Sequence, residues 1–215
     1  MRVEIWSDVV CPWCYIGKRR FEKAVARLRA DGVTEPIEVV YRSYQLDPTA
    51  PTGSPTPARD AYAKKFGSPE MADQIFAKVT SVAAGEGIEF RMDRALRANT
   101  VLSHRALHWA LSVHGEQAQS ALKERLLAAY FTEGLDVGSA DVLARCADET
   151  GLPGEELRSW LDTDAGNAEV VADMRGAIER EISAVPTFVI DDRFMVPGAQ
   201  EVDTFVNVLT RVLNR

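Results

Sequence analysis

The first part of the chain predicts a strand, a helix and a second strand. Residues 3–7 alternate apolar and polar side chains, which is typical of a half-buried strand. Apolar side chains at helical spacing from Phe21 to Leu28 predict an amphipathic helix, which begins at Pro12 and ends near Asp31. The β-rich run over residues 37–42 predicts the second strand.

The middle of the chain predicts one helix after another. Residues 47–57 hold four prolines and form a connector with no helix or strand of its own. From residue 58 to 182 apolar positions recur three and four residues apart, which predicts amphipathic helices. Cys146 lies on one of these stripes, where we expect a buried, small apolar side chain. The last stripe consists of Val171, Met174, Ile178 and Ile182.

The end of the chain changes character again. Residues 185–190 are β-rich, Asp191-Asp192 is a turn signal, and residues 193–196 can return as the second strand of a hairpin. Apolar residues between Val202 and Leu213 recur at helical spacing and predict a C-terminal helix. The order is therefore βαβ, many helices, then ββα, which indicates a mixed α/β protein.

Composition narrows the classes of partner. The 215 residues are 46% hydrophobic, as in an ordinary globular protein, and they carry 25 basic against 32 acidic side chains, a net charge of -7. This balance argues against nucleic acid and against an anionic membrane surface as partners. No apolar run approaches the roughly 18 residues of a membrane-spanning helix. The first eight residues are too polar for a signal peptide, so we expect a cytoplasmic protein.

Two of the three cysteines form a Cys-x-x-Cys pair, Cys11 and Cys14, directly after the first strand and at the start of the first helix. This spacing on a first helical turn brings the two sulfurs close enough for a disulfide. The N–H groups and the positive dipole end of the helix stabilise a thiolate on Cys11. We expect Cys11 to be the exposed, attacking thiol. We expect Cys14, covered by Trp13 and the sheet, to be the resolving thiol.

Other chemistry has weaker support. A structural zinc ion usually takes four ligands, and no second Cys-x-x-Cys or Cys/His pair stands at suitable spacing, so we expect no metal site. His104 and His108 lie four residues apart, but no third ligand accompanies them, which favours hydrogen-bonded or groove-lining histidines. Asp8 is a candidate for proton transfer to or from the thiols. The alternative that we favour for Asp8 is a turn residue that accepts backbone N–H groups.

Residues 6–18, Trp-Ser-Asp-Val-Val-Cys-Pro-Trp-Cys-Tyr-Ile-Gly-Lys, resemble the active-site opening of the FrnE-like branch of the DsbA family. Residues 185–190 are similar to the family's cis-proline segment, and residues 196–200 are also similar, although Ala184 stands where many relatives have glycine. The resemblance implies a thioredoxin-like fold with a helical domain inserted after the second strand. The implied boundaries are 1–46 and 163–215 for the thioredoxin-like domain and 47–162 for the insertion. It also implies a cis Val185–Pro186 bond beside the dithiol.

This resemblance implies a thiol–disulfide oxidoreductase that acts on protein or small-molecule disulfides through the Cys-Pro-Trp-Cys dithiol. Cys11 and Cys14 are then catalytic, and the substrate contacts are expected at Pro12, Trp13, Val185 and Pro186. The implied partners are proteins or small thiols that carry a disulfide or thiol group. No cofactor is needed, although glutathione stays open as a redox co-substrate. A homodimer also stays open.

Two alternatives remain. Kappa-class glutathione transferases and 2-hydroxychromene-2-carboxylate isomerases are similar in architecture but activate glutathione with a serine near the position of Cys11; the two cysteines of this chain argue against that chemistry. The other alternative is a polypeptide-binding, chaperone-like module that uses the groove between the domains. The direction of disulfide exchange is not determined by the dipeptide Pro12-Trp13, since local charges and hydrogen bonds set the potential.

Overall fold

The structure is a computed structural model that describes residues 1–214. In chain order its helices and strands are β1 (Arg2–Ser7), α1 (Pro12–Ala30), β2 (Glu38–Ser43), β3 (Thr56–Pro57), α2 (Ala58–Phe66), α3 (Pro69–Gly85), β4 (Leu96–Arg97), α4 (Val101–Trp109), α5 (Glu116–Phe131), α6 (Ala140–Glu149), α7 (Gly154–Leu161), α8 (Asn167–Glu179), β5 (Thr187–Ile190), β6 (Phe194–Pro197) and α9 (Val202–Leu213). A π-helical turn over Ala110–His114 continues α4.

The central sheet has the strand order β2-β1-β5-β6. β1 and β2 are parallel, and the helix α1 connects them, whereas β5 and β6 are antiparallel and form a hairpin. The hairpin turns at Asp191 and Asp192, which both have left-handed backbone angles, with φ of 48° and 54°. Asp tolerates this conformation better than most residues, which is why the Asp-Asp pair marked the turn in the sequence.

Helices α1 and α9 cover one face of the sheet. Phe21 of α1 stacks on Phe188 of β5 at 5.3 Å between ring centroids and meets Phe205 of α9 edge-on at 5.5 Å. All three rings are buried, and such pairs stabilise the packing beyond their buried area by about 0.5–1.5 kcal/mol each. The βαβ start and the ββα end of the chain therefore share one core, as the thioredoxin-like fold requires.

The segment between β2 and β5 is mainly helical and packs around a second core, which also includes Val9, Tyr15 and Ile16. Leu122, Leu126 and Leu127 of α5 are fully buried at its centre, and Ser68 caps α3 by accepting the N–H of Met71. The predicted mixed α/β fold with a thioredoxin-like sheet is confirmed. The boundaries 1–46, 47–162 and 163–215 stay predictions, and the last residue, Arg215, lies outside the described residues.

Two details of the sequence prediction were wrong. The connector 47–57 was expected to hold no strand, but its last two residues form β3, which pairs with β4. The predicted stripe Val171, Met174, Ile178 and Ile182 does not form one buried helix face. Val171 is 54% and Ile178 is 76% exposed, Ile182 is buried but lies beyond the end of α8, and the buried residues of α8 are Val170 and Ala177. The face of α8 that packs inward carries small residues, because Gly176 lies against the Trp6 ring.

Helix α5 fixes the inserted helices to the sheet and to α1. The Gln119 side chain accepts the Tyr41 N–H at 2.8 Å and donates to the Tyr41 carbonyl at 2.9 Å, so that it bonds both backbone groups at the centre of β2. Two residues further along β2, the N–H of Ser43 donates to Asp173 of α8 at 2.9 Å. Glu124 on the same helix α5 accepts hydrogen bonds from Tyr15, Lys18 and Arg19 of α1 at 2.6–2.8 Å.

Within residues 1–214 no helix is long and apolar enough to cross a membrane.

Candidate active site

Cys11 occupies the N-cap position of α1, with an extended backbone at φ -92° and ψ 114°. Its sulfur accepts the backbone N–H of Cys14 at 3.3 Å, and its thiol donates to the Val185 carbonyl at 3.6 Å. Pro12 follows as the first helical residue, where its missing N–H costs nothing. The sequence thus places a sulfur in the position where capping oxygens usually accept the free N–H groups of a helix N-terminus.

Cys11 is not the exposed thiol that the sequence predicted: Cys11 and Cys14 are both 3% exposed. They share an apolar cluster with Trp6, Ala177, Ile182, Val185 and Val189, against which Trp13 packs. Sequence patterns around α1 give no sign of this cover, because most of it comes from residues 177–189, far along the chain. Neither cysteine forms a disulfide within the described residues.

The Val185–Pro186 peptide bond is cis. Val185 lies directly on Cys11 through the sulfur-to-carbonyl contact, and Pro186 packs against α1 at Gly17, where a Cβ atom would come within 2.9 Å of the Pro186 ring. Pro12 is buried and Trp13 is half-buried, between the apolar cluster of the dithiol and the core of the helical segment. The structure therefore brings Trp13 and Val185 together with both cysteines.

Asp8 is fully buried in the short segment between β1 and α1. One carboxylate oxygen accepts the N–H of Val9 at 2.8 Å and pairs with His104 Nε2 at 3.2 Å, and the other accepts the N–H of Leu46 at 2.8 Å. Burial alone raises the pKa of Asp8, but the hydrogen bond and charge of His104, with the Leu46 N–H and the charge of Lys123, bring it below its ordinary value. These are the bonds of a residue that organises the loop, and His104 is a hydrogen-bonded histidine.

Cys14 lies beside two groups that act on its ionisation in opposite directions. Burial raises the pKa of the Cys14 thiol well above its ordinary value, and the hydrogen bond and charge of Cys11 raise it further. The positive charge of Lys123 on α5 lowers it. Burial and Cys11 together outweigh Lys123, so the pKa of Cys14 in the reduced protein lies well above its ordinary value.

Three groups near the dithiol come from the helical segment and were not predicted as site residues. His104 forms a hydrogen bond with Asp8. Lys123 lies within electrostatic range of Asp8 and both cysteines. Burial and the charges of Cys11 and Asp8 raise the pKa of Tyr62 to about 12. A signal did exist for Lys123: Gln119 and Lys123 stand on the same stripe of α5 as the buried leucines. Polar residues at core positions are rarely accidental.

Cys146 takes no part in this cluster. It is fully buried on α6 as predicted, and burial raises the pKa of its thiol to about 11. Among residues 1–214 no group of three or more histidine, cysteine, aspartate or glutamate side chains is arranged to hold a metal ion.

A β1-α1-β2 unit, a β5-β6-α9 unit and a Cys-x-x-Cys pair that caps α1 beside a proline loop together define the thioredoxin-fold class. The model of the DSBA-like thioredoxin domain family matches residues 2–210, and the chain belongs to this family. The resemblance found in residues 6–18 and 185–190 is thereby confirmed.

Comparisons with individual proteins agree. A probable DsbA oxidoreductase from Streptomyces coelicolor is 36% identical, with a TM-score of 0.89 over all of this chain and 91% of that one. YwbO of Bacillus subtilis is 27% identical over 98% of this chain and 96% of its own length. The cytosolic disulfide reductase DsbM of Pseudomonas aeruginosa, solved alone and with GSH, shares the fold at 20% identity, with a TM-score of 0.70 over all of this chain and 99% of its own when solved alone.

Proposed function

We propose that the protein is a thiol–disulfide oxidoreductase that works through Cys11 and Cys14. The observation that carries this proposal is the position of the Cys11 sulfur, which caps α1 and accepts the N–H of Cys14 at 3.3 Å. The nucleophile in disulfide exchange is a thiolate, and the N–H groups at a helix N-terminus are hydrogen-bond donors for a sulfur that is held there.

The reaction has two exchange steps. The Cys11 thiolate attacks one sulfur of a substrate disulfide, forms a mixed disulfide and releases the other substrate sulfur as a thiolate. The Cys14 thiolate then attacks the Cys11 sulfur, which breaks the mixed disulfide and releases the second substrate thiolate. The substrate gains two electrons, and the dithiol becomes a Cys11–Cys14 disulfide. The reverse sequence oxidises a substrate dithiol.

The proposed substrate contacts are Pro12, Trp13, Val185 and Pro186. An extended substrate segment can pair with backbone groups next to Val185 while its sulfur meets Cys11. The proposed substrate is a disulfide or a thiol, in a protein or in a small molecule. Glutathione is the small thiol that we propose as redox co-substrate; DsbM, which shares the fold, has been solved with GSH. We also propose a cytoplasmic location, the compartment named for DsbM.

Serine variants of the three cysteines test this function in a disulfide-exchange assay, such as insulin reduction supported by a small dithiol. We expect Cys11→Ser to abolish exchange and Cys14→Ser to accumulate a mixed disulfide that mass spectrometry detects at Cys11. Cys146→Ser is the matched control, because it removes a buried cysteine outside the site, and we expect it to retain activity. Full activity of the Cys11→Ser variant would refute the proposal.

The direction of exchange follows from the equilibrium of the Cys11–Cys14 pair with a glutathione redox buffer, measured by thiol trapping. A potential near that of thioredoxin, about -270 mV, indicates a reductase, and one near that of DsbA, about -120 mV, indicates an oxidant. We propose the reductase, because the cytoplasm keeps thiols reduced. A potential at the oxidising end of this range contradicts that direction while leaving the chemistry of Cys11 and Cys14 intact.

A further inference from the structure

Lys123 is a buried lysine whose amine contacts the Tyr41 ring but makes no hydrogen bond among the described residues. Its side chain is 1% exposed, and Nζ has no hydrogen-bond partner among residues 1–214. Buried lysines are normally paired, since the ammonium group loses its water shell on burial. Every other buried cation near α1 follows that rule: Lys18, for example, binds Glu22 and Glu124 at 2.6 and 2.7 Å. A buried amine that has no hydrogen-bond partner and lies within electrostatic range of a dithiol therefore calls for a functional explanation.

The position of Lys123 is fixed from both sides. Gln119, one turn earlier on α5, holds the backbone of Tyr41, and Glu124, the next residue, holds α1 through three hydrogen bonds. The Lys123 amine lies 5.8 Å from the centre of the Tyr41 ring, between these two attachments. Helix α5 consequently holds this amine between β2 and α1, the helix that begins with the dithiol.

The groups that face Lys123 come from each neighbouring element. They are Asp8 from the loop before α1, with His104 of α4 behind it, Cys11, Cys14 and Lys18 from α1, and Tyr41 from β2. Both oxygens of the Asp8 carboxylate already accept hydrogen bonds, and its pKa lies below the ordinary value, so Asp8 is a poor acceptor for a thiol proton. Lys18 is neutralised by its two carboxylates. Burial lowers the pKa of Lys123 below its ordinary value, and among the charges that oppose this effect that of Cys14 is the largest, ahead of Asp8 and Cys11.

We propose that Lys123, supplied by the inserted helical segment, is the positioning residue whose positive charge stabilises the Cys14 thiolate during resolution of the mixed disulfide. This rests on the proposed function and assigns the second exchange step to a residue outside the thioredoxin-like part of the chain. In that step the Cys14 thiol loses its proton to solvent, the Cys14–Cys11 bond forms, the bond from Cys11 to the substrate sulfur breaks, and the substrate leaves as a thiolate.

The aromatic disulfide dithiobisnitrobenzoate separates the two steps, because each releases one coloured thiolate. The reduced protein in a Cys146→Ala background should release the first thiolate on attack by Cys11 and the second on attack by Cys14. With Lys123→Met we expect the first release to change less than threefold and the second to slow about tenfold, the effect of one pKa unit on the thiolate fraction of Cys14. Lys23→Met, which removes an exposed lysine of α1 with the same change in net charge, should alter neither release.

The pH profile distinguishes an electrostatic from a merely structural role. The deficit of Lys123→Met should shrink as the pH rises, because alkali forms the Cys14 thiolate without help from a lysine. A deficit that is the same at every pH, or a second release within twofold of the parent, overturns the proposal. Should Lys123→Met fail to fold, Lys123→Arg and Lys123→Gln give the same test, since the arginine variant must resolve faster. Absence of even the first release in the parent would instead refute the proposed function.

Discussion

The contact between Gly17 and Pro186 offers a quantitative test of how the proline loop is held against α1. A Cβ atom on Gly17 would lie 2.9 Å from Pro186 Cγ and 3.4 Å from the Ala199 Cα, and none of these groups is the free end of a flexible side chain. In a helix interior, Gly→Ala by itself stabilises by roughly 1 kcal/mol. Overpacking of this kind costs about 1–3 kcal/mol. We therefore expect Gly17→Ala to be about 1 kcal/mol less stable than the parent.

Gly176→Ala is the matched control for this test. Gly176 also lies inside a helix, α8, and also faces the region of the dithiol, but its added Cβ would meet Arg180 and Trp6 at 3.6 and 3.8 Å, which is ordinary contact. This variant should gain up to about 1 kcal/mol. For a chain of this size, 1 kcal/mol corresponds to about 2–4 °C in Tm. Thermal unfolding followed by circular dichroism should thus move in opposite directions for the two variants.

The same two variants report on the site. Pro186 must shift to admit the Cβ of an alanine at position 17, and this displaces the Val185 carbonyl from Cys11. Gly17→Ala should consequently lose disulfide-exchange activity at temperatures where it is fully folded, whereas Gly176→Ala should retain it. A Gly17→Ala protein that is as stable and as active as Gly176→Ala would refute the packing argument.

Two further expectations concern buried polar groups. Gln119→Leu leaves the N–H and C=O of Tyr41 without their partners. Urea unfolding should show that the free energy of unfolding falls by about 1–3 kcal/mol for each unsatisfied group. A fall below about 0.5 kcal/mol would contradict the role given to Gln119. The pKa of Asp8 is lowered in the folded state, so its carboxylate contributes stability above its unfolded pKa of about 3.9, and that contribution is lost as the pH falls through the lower folded pKa. The unfolding free energy of Asp8→Asn should therefore fall less steeply than that of the parent below about pH 4. A variant with the same slope as the parent would refute this assignment.

Local signals in the sequence were sufficient for the order of elements and for the dithiol. Pro12 at the first helical position, the Asp191-Asp192 turn and the cysteine spacing each act over a few residues, and the structure has each where the pattern indicated. The stripe containing Cys146 was also oriented correctly, because one face of α6 carries most of its apolar residues.

What the sequence could not give depends on contacts between distant segments. Helix α8 carries two candidate apolar faces. Its packing on the Trp6 ring and the hydrogen bond from Ser43 to Asp173 turn the small residues around Gly176 inward and leave Ile178 outside. The burial of Cys11 depends on Val185, 174 residues further along the chain. The juxtaposition of Lys123 and Cys14 requires α5 to be placed by its bonds to Tyr41 and α1, and no pattern within α5 specifies those partners.

The side chains that hold β2 also bear on self-association. β2 is an edge strand of the sheet, and its outward-pointing N–H groups at Tyr41 and Ser43 bind Gln119 and Asp173. An exposed strand edge is a template on which a second chain can add its own strand, and proteins that leave such edges open are prone to aggregate. By occupying alternate backbone groups along β2, the two helices close this edge at its centre. The same residues that attach α5 and α8 to the sheet therefore prevent the β2 edge from pairing with the sheet edge of a second molecule.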